Sequence, residues 1–437
     1  MALKPLNPQP NKGSLKTAPP RPPADTTWRP KWLLAAPHRL AFFAGALMLS
    51  LSAVWWCTML FARQLGVVIP WMLAPATAHA LLMTLGFMPL FFAGFLFTAG
   101  PKWLAMPAVS ANKLLRYVTT TLIGWPVCML GFHVSASMVC LGMVLVALAW
   151  SSITLQFAGL WYKSQAEDKV HATVVVVASM AGVIAMWVAV GGLALGQEIL
   201  VRTATQGALW IFVATVFAAV SHRMIPFFSA SAMPVLDAWR PLWLLWCMVG
   251  VLWFEGVMAC LELWLQPVSP GLRWLQITIE TPTAILMLWL AVRWGLVQSL
   301  KIRLLAMLHG GFLWLGIALA LQAVSHAMMA WSQNQMSLGL APLHAMTMGY
   351  LGATLFAMAS RVSSGHSGRP VAADNAAWGL YWILQLAVFL RVLSTLWTDA
   401  YAILLLTAIA AWTVAGCGWA WRYGSWFGRP RLDGREG

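Results

Sequence analysis

PLHAMTMGYLGATLFAMASRVSSGHSGRP, residues 342–370, decides how the rest of the chain is read. His344 enters an apolar stretch that carries no charge until Arg361. A short polar loop follows, holding Ser363, Ser364, Gly365, His366, Ser367, Gly368, Arg369 and Pro370. An imidazole in hydrocarbon has two ring nitrogens to satisfy, so its reasons for being there are a hydrogen-bond partner, a proton path or a metal. In the loop, Gly365 and Gly368 permit tight turning, while Arg361, His366 and Arg369 gather at one membrane face. That combination suits a docked anion such as a carboxylate or phosphate.

Outward from this stretch the composition is that of a lipid-embedded chain. Of 437 residues, 61% are hydrophobic and 9% charged, with a mean hydropathy of +0.76. Soluble domains run at roughly 45–50% apolar and about 25% charged. A transmembrane helix needs ~20 mostly apolar residues, and about twelve such segments can be laid down. They cover 40–62, 71–99, 115–134, 137–160, 171–195, 204–222, 241–265, 274–293, 304–326, 340–360, 375–397 and 400–422. The expected fold is an all-α integral membrane protein, a polytopic bundle of about twelve transmembrane helices.

The basic residues orient it. With the N-terminus inside, all but Arg63, Arg202, Arg273 and Arg391 of the 27 Lys and Arg fall on the cytoplasmic side, the bias that the positive-inside rule describes. Both termini are therefore expected to be cytoplasmic. Residues 1–37, rich in proline and basic side chains, read as a disordered cytoplasmic tail without the apolar core of a signal peptide. Residues 38–423 form the bundle and 424–437 a basic cytoplasmic tail. The net charge of +15 is topological, which argues against nucleic acid as a partner. The six cysteines form no CxxC and read as small apolar residues. The 28 tryptophans suit interfacial belts.

Depth along the helices sorts the nine histidines into two layers at ~1.5 Å per residue. His79, His133, His326 and His344 lie toward the outer side. His171, His222, His309 and His366 lie toward the cytoplasm, with His38 just before the first helix. His79 is followed by Gly86, Pro89 and Gly94, which allow a bend and a close neighbour. His309 precedes Gly310 and Gly311, where a flat cofactor or another backbone could approach. His133, His171 and His326 sit near interfaces and read as ordinary. Glu255 and Glu262, seven residues apart, share a helix face. Glu262 and Glu280 match Arg391 in depth, so a buried pair with Arg391 or a proton route is expected. No nucleophile constellation and no phosphate-binding GxxxxGK[ST] loop is present.

The stretch LHAMTMGYLGATLFAMASRVSSGHSGRP resembles the signature LHALTVGxxGxMxLAVMTRxSLGHTGRP of the NnrS family. It keeps His344, Gly349, Gly352, Arg361, Ser363, Gly365, His366, Gly368, Arg369 and Pro370. Fainter echoes follow the family's order: His79 to Trp103, Arg223 to Phe228, and the Leu308–His309 pair with Gly310 or Gly311. The resemblance implies a polytopic bacterial inner-membrane protein that carries haem and copper and takes part in the nitric oxide and nitrosative-stress response. It carries His79, His309 and His344 over as metal ligands. His366, Arg223, Arg361 and Arg369 come over as further cofactor-binding residues. Where the family has HxHE, this chain reads His79, Ala80, Leu81 and Leu82, which puts copper in doubt.

Two other classes compete. A transporter or assembly factor for haem, a metal or an anion would use the glutamates and Arg391 as its path. A nitric oxide reductase or haem-copper oxidase core would need closely spaced histidines, and the chain has no HH and no HxH.

Overall fold

The computed structural model describes residues 27–434, all helix, turn and loop, with no strand among them. Twelve long helical runs cross back and forth. They are α1 (Pro37–Gln64), α2 (Pro75–Trp103), α3 (Asn112–Val134), α4 (Ala136–Lys163), α5 (Val170–Ala194) and α6 (Glu198–Ala232). Next come α7 (Leu242–Trp264), α8 (Pro270–Arg293), α9 (Arg303–Trp331), α10 (341–366), α11 (Asn375–Leu396) and α12 (Tyr401–Phe427). Among the described residues, eleven helices are long and apolar enough to cross a membrane. The twelfth expected segment is α10, whose serines, threonines, histidines and arginine make it the more polar run.

Local chemistry sets several boundaries. Proline stands in the first turn of α1, α2 and α8, where a missing N–H costs nothing. Asp374 caps α11 by accepting from the Ala377 N–H at 3.0 Å. Run α2 breaks between Leu85 and Met88, just before Pro89 removes a donor. Runs α6 and α10 each contain a π-helical stretch, Ala208–Ala214 and Ala345–Gly352. Such widened turns recur at functional sites.

The neighbours are mostly sequential hairpins, α3 with α4, α8 with α9 and α11 with α12, and α12 closes back on α1. Outward faces carry exposed Ile123, Leu155, Ile184, Ile285 and Phe389, as lipid contact requires. Inside, aromatic side chains fill the centre: Phe91, Phe356 and Trp419 pack together, and the Trp419 Nε1–H donates to Ser360 Oγ at 2.9 Å. The chain's two described ends meet, since the Arg29 N–H donates to the Gly428 carbonyl at 2.7 Å. The expected N-terminal tail lies outside the described residues up to position 26. Its remainder includes a short 3-10 turn, Pro30–Ala35, leading into α1. Helix α12 continues past position 423 to Phe427. Residues 435–437 of the expected C-terminal tail lie outside the described residues.

Candidate functional site

The histidines divide between the two ends of the bundle. At the end shared by the α7–α8 and α9–α10 turns, His79 and His344 lie within electrostatic reach of one another. His79 stacks on Trp56 of α1, with ring centroids 4.1 Å apart and planes 18° apart. Its Nδ1 is buried without a hydrogen-bond partner. His344, on the first turn of α10, donates from Nδ1–H to the Leu340 carbonyl at 2.9 Å. That bond fixes the tautomer and leaves the Nε2 lone pair available, the arrangement usual for a metal-ligating histidine. Both imidazoles lie within electrostatic reach of Arg391 on α11, and His344 within reach of His79.

Arg391 is the residue that sequence reasoning placed elsewhere. It donates to Ser394 Oγ at 2.9 Å, and among the described residues it makes no ion pair. The expected arginine–glutamate pair exists with another arginine: Arg273 Nη1 lies 2.5 Å from Glu262 Oε1. The reason is adjacency. Arg273 and Glu262 face each other across the α7–α8 turn, while α11 packs on α10 and α12.

His309 is not part of the pair. It is fully buried on α9, its Nε2 2.9 Å from Ser229 Oγ of α6, and its Nδ1 has no partner. The two glycines after it serve protein packing. A Cβ on Gly311 would stand 2.7 Å from the Thr354 backbone nitrogen, and one on Gly310 would stand 2.7 Å from the Tyr381 hydroxyl. Gly311 is thus level with Thr354, ten residues beyond His344, which puts His309 on the order of 15 Å from His344 along the bundle axis.

At the opposite end the motif residues spread over different partners. His366 donates from Nδ1 to the Val362 carbonyl at 3.0 Å and packs on His38, with centroids 4.6 Å apart. Arg361 lies over the Phe228 ring at 3.9 Å, and Arg369 over Trp426 at 4.3 Å. Burial, together with Arg429 and Arg422 nearby, lowers the pKa of the Arg369 guanidinium from its ordinary value. The polar loop is covered by the chain's own C-terminal segment: the Leu432 N–H donates to the Ser367 carbonyl at 3.1 Å. Asp433 lies against Gly368, whose φ of +70° favours glycine. Arg361, His366 and Arg369 therefore pack against three different elements, α6, α1 and α12.

Arg223 belongs to a directional chain of donors. Its Nη1–H points at His171 Nδ1 (3.5 Å), His171 Nε2–H at His222 Nδ1 (2.9 Å), and His222 Nε2–H at the Pro241 carbonyl (3.2 Å). Every ring nitrogen there is occupied, so this pair reads as a structural clasp. His133 is likewise satisfied, by Trp55 Nε1–H and the Pro70 carbonyl. Among the described residues no group of three or more His, Cys, Asp or Glu is gathered to hold a metal ion, and all six cysteines are unpaired.

The donor set at His79 and His344 fits a cofactor that needs one or two imidazoles, such as haem. Among the described residues no further His, Cys, Asp or Glu joins this pair. No curated protein matches the chain. The family model described as NnrS protein matches residues 32–431, which takes in all twelve helical runs and every site residue named above. The chain belongs to the NnrS family.

Proposed function

We propose that this protein holds haem at the His79–His344 end of the bundle, in a bacterial inner membrane, and takes part there in the response to nitric oxide. The observation that carries the reading is a pair of partly exposed imidazoles, from α2 and α10, that both lie within electrostatic reach of Arg391. One has its Nδ1–H already committed to Leu340 and the other has an orphaned ring nitrogen. Haem bound there supplies an iron that takes a small diatomic ligand, and nitric oxide, being apolar, partitions into the same bilayer.

The remaining roles fall to the chain. Leu340 orients the His344 ring, and Trp56 fixes the plane of His79. Arg391, without a carboxylate, supplies a positive charge that suits the propionates of a haem or another carboxylate. Family membership supports the reading, and His309 is assigned to packing with Ser229.

The test is the visible absorption spectrum of full-length protein purified in detergent after expression with ample haem. His79→Ala and His344→Ala are expected to lose the haem band or shift it, and His309→Ala to keep it. Colour retained unchanged in all three variants removes the assignment.

A further inference from the structure

A second buried polar cluster lies at the same end of the bundle, between α7, α8 and α9, and neither haem nor nitric oxide accounts for it. Glu255, Glu280 and His326 are each at most 3% exposed. His326 Nδ1–H donates to both oxygens of Glu280, at 2.8 and 3.0 Å. Glu255 reaches Glu280 from α7 within hydrogen-bond contact, and its second oxygen, Oε1, is buried with no partner. Two carboxylates cannot both stay ionised in contact inside an apolar bundle, so the contact requires a proton between them. A carboxyl pair that shares a proton with an imidazole behind it is the chemistry of proton storage.

The cluster opens toward the end of the bundle. Glu262 stands seven residues along α7 from Glu255, about two turns, or ~10 Å nearer the surface, and its side chain is 25% exposed. It is held by Arg273 Nη1 at 2.5 Å and Gln276 Nε2 at 2.8 Å. His326 Nε2 lies 3.9 Å from Glu262 Oε1, just beyond direct hydrogen-bond distance. The Gln322 amide approaches the same nitrogen at 3.5 Å. The charged and titratable groups facing one another are therefore Glu255 and Glu262 of α7, Arg273 and Glu280 of α8, and His326 of α9.

We propose that Glu255, Glu280 and His326 form a proton-loading site inside the membrane, fed from the α7–α8 end past Glu262. A proton arriving at His326 Nε2 makes the ring cationic. Loss of the Nδ1 proton to Glu280 restores the neutral ring, and the carboxyl pair, which already shares one proton, then holds two, one on Glu280 and one on Glu255. Unloading reverses these transfers and returns the ring to its starting tautomer, so that only O–H and N–H bonds change.

Infrared spectroscopy of the full chain in detergent at neutral pH tests this, because a protonated carboxyl has its own C=O band that shifts down when O–H becomes O–D. The band is expected in the wild type, is expected to shift after transfer to heavy water, and is expected to be lost in Glu255→Gln. Absence of the band overturns the proposal. So does a band that stays unshifted, which would mean a sealed structural pair, or one unchanged in both Glu255→Gln and Glu280→Gln. His326→Gln is expected to slow the exchange, and an unchanged rate overturns the relay. Should Glu255→Gln fail to fold, Glu255→Asp keeps a carboxyl and must displace the band. None of these readouts depends on colour, so failure here and failure of the haem reading are distinguishable.

Discussion

Gly311→Ala puts the α9–α10 packing to a quantitative test. The added methyl would sit 2.7 Å from both the nitrogen and Oγ1 of Thr354 and 3.1 Å from the Ala353 carbonyl carbon. The nearest obstacle is backbone, which no rotamer change removes, so the two helices must part by several tenths of an ångström. Alanine replacing glycine in a helix gains ~1 kcal/mol from propensity, while overpacking of a close-packed site costs ~1–3 kcal/mol. The net expectation is destabilisation by up to ~2 kcal/mol. Gly250→Ala on α7 is the control, because nothing lies within 4 Å of its Cβ position. It keeps only the propensity gain and is neutral or stabilising. Gly310→Ala falls between them, since it meets the Tyr381 hydroxyl, which donates to the Met307 carbonyl at 2.8 Å. Apparent melting temperatures in one detergent at one heating rate should rank Gly250→Ala highest and Gly311→Ala lowest, each variant keeping its visible colour. If Gly311→Ala melts at or above Gly250→Ala, the helix contact is wrong. If it melts normally but loses colour, a cofactor and not Thr354 lies against Gly311.

Ser229→Ala leaves His309 with neither ring nitrogen partnered and should destabilise by ~1–3 kcal/mol in thermal unfolding, with the visible spectrum unchanged. Arg391→Met should weaken haem retention during gel filtration while far-ultraviolet dichroism stays that of the wild type, and undiminished retention would detach Arg391 from the site. Arg273→Gln strips Glu262 of its cation. Because that carboxylate is partly exposed, the loss should fall below the ~3–5 kcal/mol typical of a fully buried pair, read as a lower melting temperature. Removing residues 429–437 deletes the Leu432 bond to Ser367, and limited proteolysis should then cut near residues 363–372 faster than in the intact chain.

The helices were legible because lipid demands long apolar runs, and each expected segment overlaps an observed one. Depth was legible too, since it follows from counting residues along a helix. What depth cannot give is azimuth. Glu262, Glu280 and Arg391 share a depth, yet Glu262 pairs with Arg273 and Glu280 with His326, because α7, α8 and α9 are neighbours and α11 is not. His326 read as an ordinary interfacial residue for the same reason: its partner lies forty-six positions away. His79 and His344 stood out as polar groups in apolar sequence, but their shared proximity to Arg391 depends on how α1, α2, α10 and α11 close up. The glycines after His309 announced a close approach without saying to what.

The bond between Arg29 and Gly428 brings the first and last described turns of the bundle to within one peptide's reach. A chain whose residues 29 and 428 were joined by a short flexible tether, and opened instead in the 332–340 turn between α9 and α10, would trace the same twelve helices in a new order. Circularly permuted molecules of this kind should still mature into the native form, and halves of a split reporter fused at the two original ends should assemble on a single side of the membrane.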